Sequence, residues 1–188
     1  MDPDRLLHQD DQALGALGNV MKEDRGEKKA GPVPWENLTV RILESTDVEQ
    51  ITEIYREVFL SYPFPIHNPG YILKTMKENI RYFGVEEHGK LLAVSSAETD
   101  AKEQNAEMTD FATRPEARGR GMAQALLRRM ETSMKKEGFK TLYTIARLKS
   151  VPMNKTFLFL DYHYAGTLIQ NTQIAGEIES MNVFYKHL

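Results

Sequence analysis

The stretch Ala106 to Ala125, AEMTDFATRPEARGRGMAQA, holds the residues best suited to chemistry. It reads as the end of a strand, a break at Pro115, and a turn of Arg118, Gly119, Arg120 and Gly121 that feeds directly into a long helix. Such a turn exposes several backbone N–H groups at the positive end of a helix dipole, and glycine lets a ligand approach the main chain closely. A phosphate or pyrophosphate suits that arrangement. Two phosphate patterns fail: a dinucleotide fingerprint needs a small residue where Gln124 stands, and a P-loop needs Gly-Lys followed by Ser or Thr, which the chain lacks. A third, R/Q-x-x-G-x-G/A, is met by Arg118, Gly121 and Ala123. Within the strand, period two puts Asp110 on the opposite face from Glu107, so the two carboxylates are not expected to work as a dyad.

Around that junction the periodicity alternates between strand and helix. Leu38 to Leu43 alternates as a strand, and Thr46 with Glu49 forms a capping box ahead of the apolar stripe Ile51, Ile54, Tyr55, Val58 and Phe59. The proline-dense Tyr62 to Pro69 is a loop, after which Asn68 caps a second helix running to about Asn79. Tyr82 to Glu87 and Leu91 to Glu98 form a hairpin around His88, Gly89 and Lys90, followed by a strand from Ala106 to Thr113. The long helix runs from Gly121 to Glu137 with Gly138 as its stop. A strand from Thr141 to Arg147, a short helix from Pro152 to Leu160 and strands Tyr164 to Ile169 and Met181 to Lys186 complete the chain. A mixed α/β fold with helices covering a sheet follows.

Composition narrows the chemistry. The 188 residues are 41% apolar and 27% charged, a globular balance, and contain no cysteine, which excludes disulfides, thiolate zinc sites and an acyl-cysteine intermediate. The five histidines have no metal-ligand spacing, so no metal is expected. A net charge of −3 gives no electrostatic case for nucleic acid or an anionic membrane, and an acidic N-terminus without a long apolar run points to a cytoplasmic protein. Residues 1–36 hold the whole of that net charge and few apolar residues. They read as a disordered or appended lead, or as the remnant of an N-terminal region, ahead of a domain over 37–188.

The motif at Arg118, Gly121 and Ala123, placed between a strand and an amphipathic helix, resembles the pyrophosphate loop of the GCN5-related N-acetyltransferase (GNAT) superfamily. The resemblance covers about Leu38 to Leu188. It implies a GNAT fold, a mixed and mostly antiparallel twisted sheet of six to seven strands flanked by about four helices, in which a splayed strand pair binds acetyl-CoA. The cofactor would then lie against Phe111, Ala112, Thr113, Arg118, Gly119, Arg120, Gly121, Met122 and Ala123, with Asn154 nearby, and no metal would be needed. The resemblance implies direct transfer of acetyl to an amine, with Glu107 as general base. The superfamily's tyrosine acid would fall at Phe157, so Tyr162, Tyr164, Tyr143 or water must protonate the leaving thiolate.

Four segments outside the shared motif, Val58 to Tyr71, Ala106 to Thr113, Tyr143 to Phe157 and Gly166 to Leu188, resemble the β-lysine N-acetyltransferases. That resemblance implies a small diamino acid as acceptor, acetylated at its distal amine. Such an acceptor needs donors for a carboxylate and acceptors for a retained ammonium, chemistries offered by Tyr62, Asp110, Arg147, Asn171, Glu179 and Asn182. A polyamine, lysine or peptide acetyltransferase, a CoA-binding regulatory module without turnover, and a homodimeric assembly stay open on this reading. The partners expected are small molecules, with neither nucleic acid nor membrane.

Overall fold

In the computed structural model, residues 38–174 and 176–188 are described, together with Gln12, Leu14, Gly15, Gly18 and Asn19, which are helical. The rest of the lead expected over 1–36 lies outside the described residues. From residue 38 onward the order is β1 (Val40–Ile42), α1 (Val48–Val58), α2 (Pro69–Lys77), β2 (Ile80–Glu87), β3 (Lys90–Asp100), β4 (Asn105–Thr113), α3 (Met122–Glu137), β5 (Thr141–Arg147), α4 (Val151–Phe159), β6 (His163–Ile174) and β7 (Glu177–His187). Two 3-10 turns, Ser45–Asp47 and Pro115–Ala117, precede α1 and α3.

Local signals account for most of these boundaries. The side chain of Asn68 accepts the Gly70 amide at the start of α2, and Gly138, at φ +91°, ends α3 while its N–H bonds back to the last turn. His88 and Gly89 both take positive φ and join β2 to β3 by a two-residue turn. The capping box before α1 differs from the expected one. Thr46 lies inside the 3-10 turn, and the reciprocal pair is Glu44 with Asp47, whose carboxylate also takes a bidentate bond from Arg41 at 2.7 Å. Strands β6 and β7 run longer than their sequence pattern, because pairing between them continues past a register shift at Leu168–Thr172 where alternation is lost.

All seven strands join one sheet in the order β1-β2-β3-β4-β5-β7-β6, antiparallel throughout except for the pair β4 and β5. Each face carries its own core. On one face, Met122, Leu126, Leu127, Met130 and Met134 of α3 and Phe157 of α4 pack on Met108, Leu142 and Phe184. On the other, Ile51, Ile54 and Tyr55 of α1 and Ile72 of α2 pack on Tyr82, Leu91, Val94 and Ala112.

Arg114, only 5% exposed, fastens the second face to the end of β4. Its guanidinium donates to the Leu91 carbonyl at 3.0 Å and pairs with Glu57 at 2.6 Å and Glu53 at 3.2 Å, both on α1. Removing the cation leaves a buried carbonyl and a half-buried carboxylate without a donor. Arg114→Ala is therefore expected to cost about 3 kcal/mol of unfolding free energy, read from the urea midpoint. A loss below about 0.5 kcal/mol would show that α1 is held by its apolar face alone.

Candidate active site

Strands β4 and β5 pair over only three residues each, Asn105–Glu107 against Thr141–Tyr143. Beyond Glu107 they diverge, and the β5-facing edge of β4 from Met108 to Thr113 is left without a strand partner. Arg114 sends its N–H to Leu92 of β3, so by alternation Phe111 and Thr113 turn their peptide groups toward the open edge. Ala112 does the reverse: it pairs with Val94 and sits in the α1 core, which removes it from the expected cofactor contacts.

The open edge leads into a cavity of about 950 Å3, lined by Phe111, Thr113, Arg118, Gly121, Ala123 and Lys155 among others. At its mouth Gly119 and Gly121 adopt φ +78° and +76°, a region costly for any residue with a Cβ, and Gly121 caps α3 without any side-chain bond. The first amides of α3, those of Met122, Ala123 and Gln124, thus face the cavity with the helix dipole behind them. A Cβ on Gly119 would meet nothing within 4 Å, so the turn borders open space. With Arg118 and Lys155 as cations, the donor set fits a pyrophosphate. Arg120 does not add to it through its side chain, which pairs with Glu87 on β2.

Asn154 also leaves the cofactor set. It is 2% exposed, its amide nitrogen bonds the carbonyls of Arg147, Leu148 and Ser150, and its oxygen accepts from Asn182. Lys155, Ser150, Thr156 and Phe159 line the cavity without having been singled out from sequence. Helix α4 has its polar residues Asn154, Lys155 and Thr156 consecutive instead of on one stripe, so nothing in its pattern tells which side faces a ligand.

On the opposite face lie the carboxylates. Between Val94–Ala112 and Ser96–Thr109 the register shifts, so Asp110 and Phe111 together oppose Ser95, and Asp110 takes φ +55°. This bulge overturns the period-two expectation. Asp110 turns to the α1 face, accepts the Tyr62 hydroxyl at 2.5 Å and the Ser96 hydroxyl at 2.6 Å, and acts electrostatically on Glu107. Burial pushes the Asp110 carboxyl up, against the pull of those hydroxyls. Tyr62 therefore holds the proline-rich loop to the bulge.

Glu107 sits at the point where β4 and β5 part. Burial first, and then the charges of Glu98 and Asp110, push its carboxyl up to about 7, while the Ile145 amide and the Tyr143 hydroxyl pull the other way. A carboxylate poised near neutrality at the fork is suited to taking a proton.

The other expected residues are largely engaged with one another. Arg147 and Glu179 form a bidentate pair at 2.9 and 2.5 Å, with the Glu179 side chain fully buried. Asn182 gives its amide to Asn154 and accepts from Thr167, whose hydroxyl meets that of Tyr164 at 2.7 Å. Asn182 is thus interior scaffolding, and Asn171 is an exposed residue bonded to Thr172. Tyr162 does not reach the cavity: its hydroxyl is buried beside Glu131 of α3, and the Lys186 ammonium lies over its ring. Phe157 lies edge-on to Phe111 and stacks on Phe184, filling with a ring the place where a phenol was sought. Among the described residues, no group of three or more His, Asp or Glu side chains could hold a metal ion.

Residues 48–157 match the model of the acetyltransferase (GNAT) family. The chain is 46% identical over 151 residues to a beta-lysine N(6)-acetyltransferase of Methanococcus maripaludis, an overlap of 80% of this chain and 55% of that protein. A beta-lysine N(6)-acetyltransferase of Methanosarcina mazei is 37% identical over 164 residues, 87% of this chain and 59% of that one. The chain therefore spans a little over half the length of the curated relatives it matches. The structure superposes on PaiA N-acetyltransferase of Thermoplasma acidophilum, solved in complex with coenzyme A, with a TM-score of 0.64 at 15% identity, covering 81% of this chain and 99% of that one.

The raised Glu107 carboxyl links stability to pH. Folding favours the protonated form between about pH 4.5 and 7, so the stability tied to this group is fully present below 4.5 and lost as pH rises through 7. Glu107→Gln is expected to be more stable than wild type at pH 8 by on the order of 2 kcal/mol, with the gap closing at pH 4.5. Urea unfolding of both proteins across that range checks this; a difference that does not change with pH would overturn it.

Proposed function

The chain belongs to the GNAT acetyltransferase family, and from that premise we propose that it transfers the acetyl group of acetyl-CoA to the distal amine of β-lysine within a ternary complex. The observation that carries this reading is the fork between β4 and β5. It puts an anion-binding helix start and an open strand edge on one face, and a poised carboxylate on the other. The relatives named beta-lysine N(6)-acetyltransferases supply the acceptor.

In this reading the amides of Met122 and Ala123 with Arg118 hold the pyrophosphate, and the peptide groups of Phe111 and Thr113 hold the arm that carries the thioester. When bound, acetyl-CoA supplies the acyl group and a thiolate leaving group. Glu107 takes the first proton of the acceptor ammonium, which at a pKa of about 10.4 is otherwise retained near neutrality. The nitrogen bonds to the acyl carbon as the carbon–sulfur bond breaks, and the second nitrogen proton is lost as the sulfur gains one. One proton is released to solvent overall. Among the described residues no phenol lines the cavity, so we assign the sulfur's proton to water.

Tyr62 and Asp110 are the groups we assign to the retained ammonium, and the outer edge of Arg147, one third exposed, to the carboxylate. The carboxylates Glu98, Glu107 and Asp110 on one face also favour a second reading, a polyamine acceptor. We place the reaction in the cytoplasm.

Two measurements test this. Ala123→Glu puts an anion on the first turn of α3 without a backbone conflict, and should weaken acetyl-CoA binding by at least about tenfold in calorimetry. Unchanged affinity would remove the pyrophosphate assignment. For the acceptor, kcat/KM is expected to fall from β-lysine to α-lysine to cadaverine, because cadaverine lacks the carboxylate that Arg147 would bind, a charge-assisted contact worth on the order of tenfold. Equal values for β-lysine and cadaverine would move the assignment to a polyamine.

A further inference from the structure

Glu98 of β3 stands directly opposite Glu107 of β4, and Tyr143 of β5 stands directly on its other side. The three side chains therefore form a row across three strands. Residues so opposed have Cβ atoms about 4.5–5.5 Å apart, and like charges at that spacing repel. Glu98 is exposed whereas Glu107 is partly buried. Glu98 and Tyr143 line a second cavity, of about 740 Å3, whose wall also includes Glu78, Arg81, Asp100 and Glu137. Among the described residues, Arg81 is the one cation in that wall, and it is paired with Glu137 at 3.6 Å. Among the described residues Glu98 forms no ion pair, so its charge toward Glu107 is not compensated.

We propose that Glu98 is a positioning residue for the base, its charge across the strand pair fixing the pH at which Glu107 accepts the acceptor's proton. The inference rests on Glu107 being that base. Glu107 is faced by Glu98 from β3, Asp110 from β4, Tyr143 and the Ile145 amide from β5, and Tyr62 from the loop. Further out, Tyr71 of α2 lies by Glu98, Glu78 and Asp110, and Asp100 lies by Tyr143, while Arg81 turns to the α3 face and pairs with Glu137. Asp110 is committed to Tyr62 and Ser96, and the Tyr143 hydroxyl and Ile145 amide stabilise the ionised form. Glu98 is the free carboxylate in this set that works against ionisation. A strand pair built for stability alone would not oppose two glutamates, whereas a base needed near neutral pH gains from the repulsion. Exposure to the second cavity also leaves Glu98 more open to screening by salt than the partly buried Glu107.

The test is the pH dependence of kcat/KM in thiol release, in which the rate rises through the titration of the base. Glu98→Gln keeps size and hydrogen-bonding capacity and should move the acid limb down by about 0.5 to 1 pH unit, about three- to tenfold more ionised base on the acid side. Glu98→Lys should move it further. In wild type, 0.5 M NaCl should shift the limb the same way, and in Glu98→Gln it should not, a comparison that does not depend on how the variant folds. An unmoved limb in Glu98→Gln, or a uniform fall in rate at every pH, overturns the proposal, while loss of the limb in Glu107→Gln leaves the underlying reading intact. A limb that persists in Glu107→Gln instead overturns that reading.

Discussion

A strand edge inside a sheet must find partners for its peptide groups, and the six residues of β4 beyond Glu107 have no strand partner on the β5 side. The rest of the molecule is arranged around that debt. β3 holds the other edge of β4 through a long antiparallel ladder, Arg114 pins its end to α1, and α3 begins beyond the strand's end, so the edge stays open. An extended ligand arm with its own amide groups satisfies such an edge as a neighbouring strand would. The fork thus offers a ligand backbone groups more than side chains.

The bulge in β4 gives the same strand a second task. Inserting one residue opposite Ser95 aims Phe111 at the cavity and Asp110 at the other face, where Tyr62 and Ser96 fix it. Two ligands can then approach from opposite faces and meet at the fork beside Glu107. On the α1 face, the loop carrying Tyr62 also touches the tip of the β6–β7 hairpin, through the Gly176 amide and the Ser61 hydroxyl. Arg147 with Glu179 and Lys149 with Glu177 brace that hairpin against β5. Most polar residues around this face are held by one another, which leaves few groups to read a substrate and gives each of those more weight.

The glycine-bearing turn and the long helix were legible in the sequence because their signals are local. Arg118, Gly121 and Ala123 have meaning at fixed offsets, Gly138 stops a helix wherever it stands, and Asn68-Pro69 starts one. Glu107 was found through a resemblance that fixes its distance from the same turn. What could not be read was which neighbours each polar side chain would meet. Asn154 and Asn182 lie 28 residues apart and satisfy each other. Arg147 and Glu179 lie 32 apart and do the same. Seen singly, all four carry the chemistry of a binding site.

Sequence by itself determined the order of elements, the glycine turn that opens the long helix, and the absence of a thiol nucleophile, since each follows from residues close together or from composition. Tertiary structure decided which face Asp110 occupies, because a bulge depends on how β3 and β4 fit and not on either strand alone. It also decided that Tyr162 is sealed against Glu131, that Phe157 fills the aromatic core, and that Glu98 stands across from Glu107. These are consequences of register and packing between segments far apart in the chain, and no periodicity within one segment carries them.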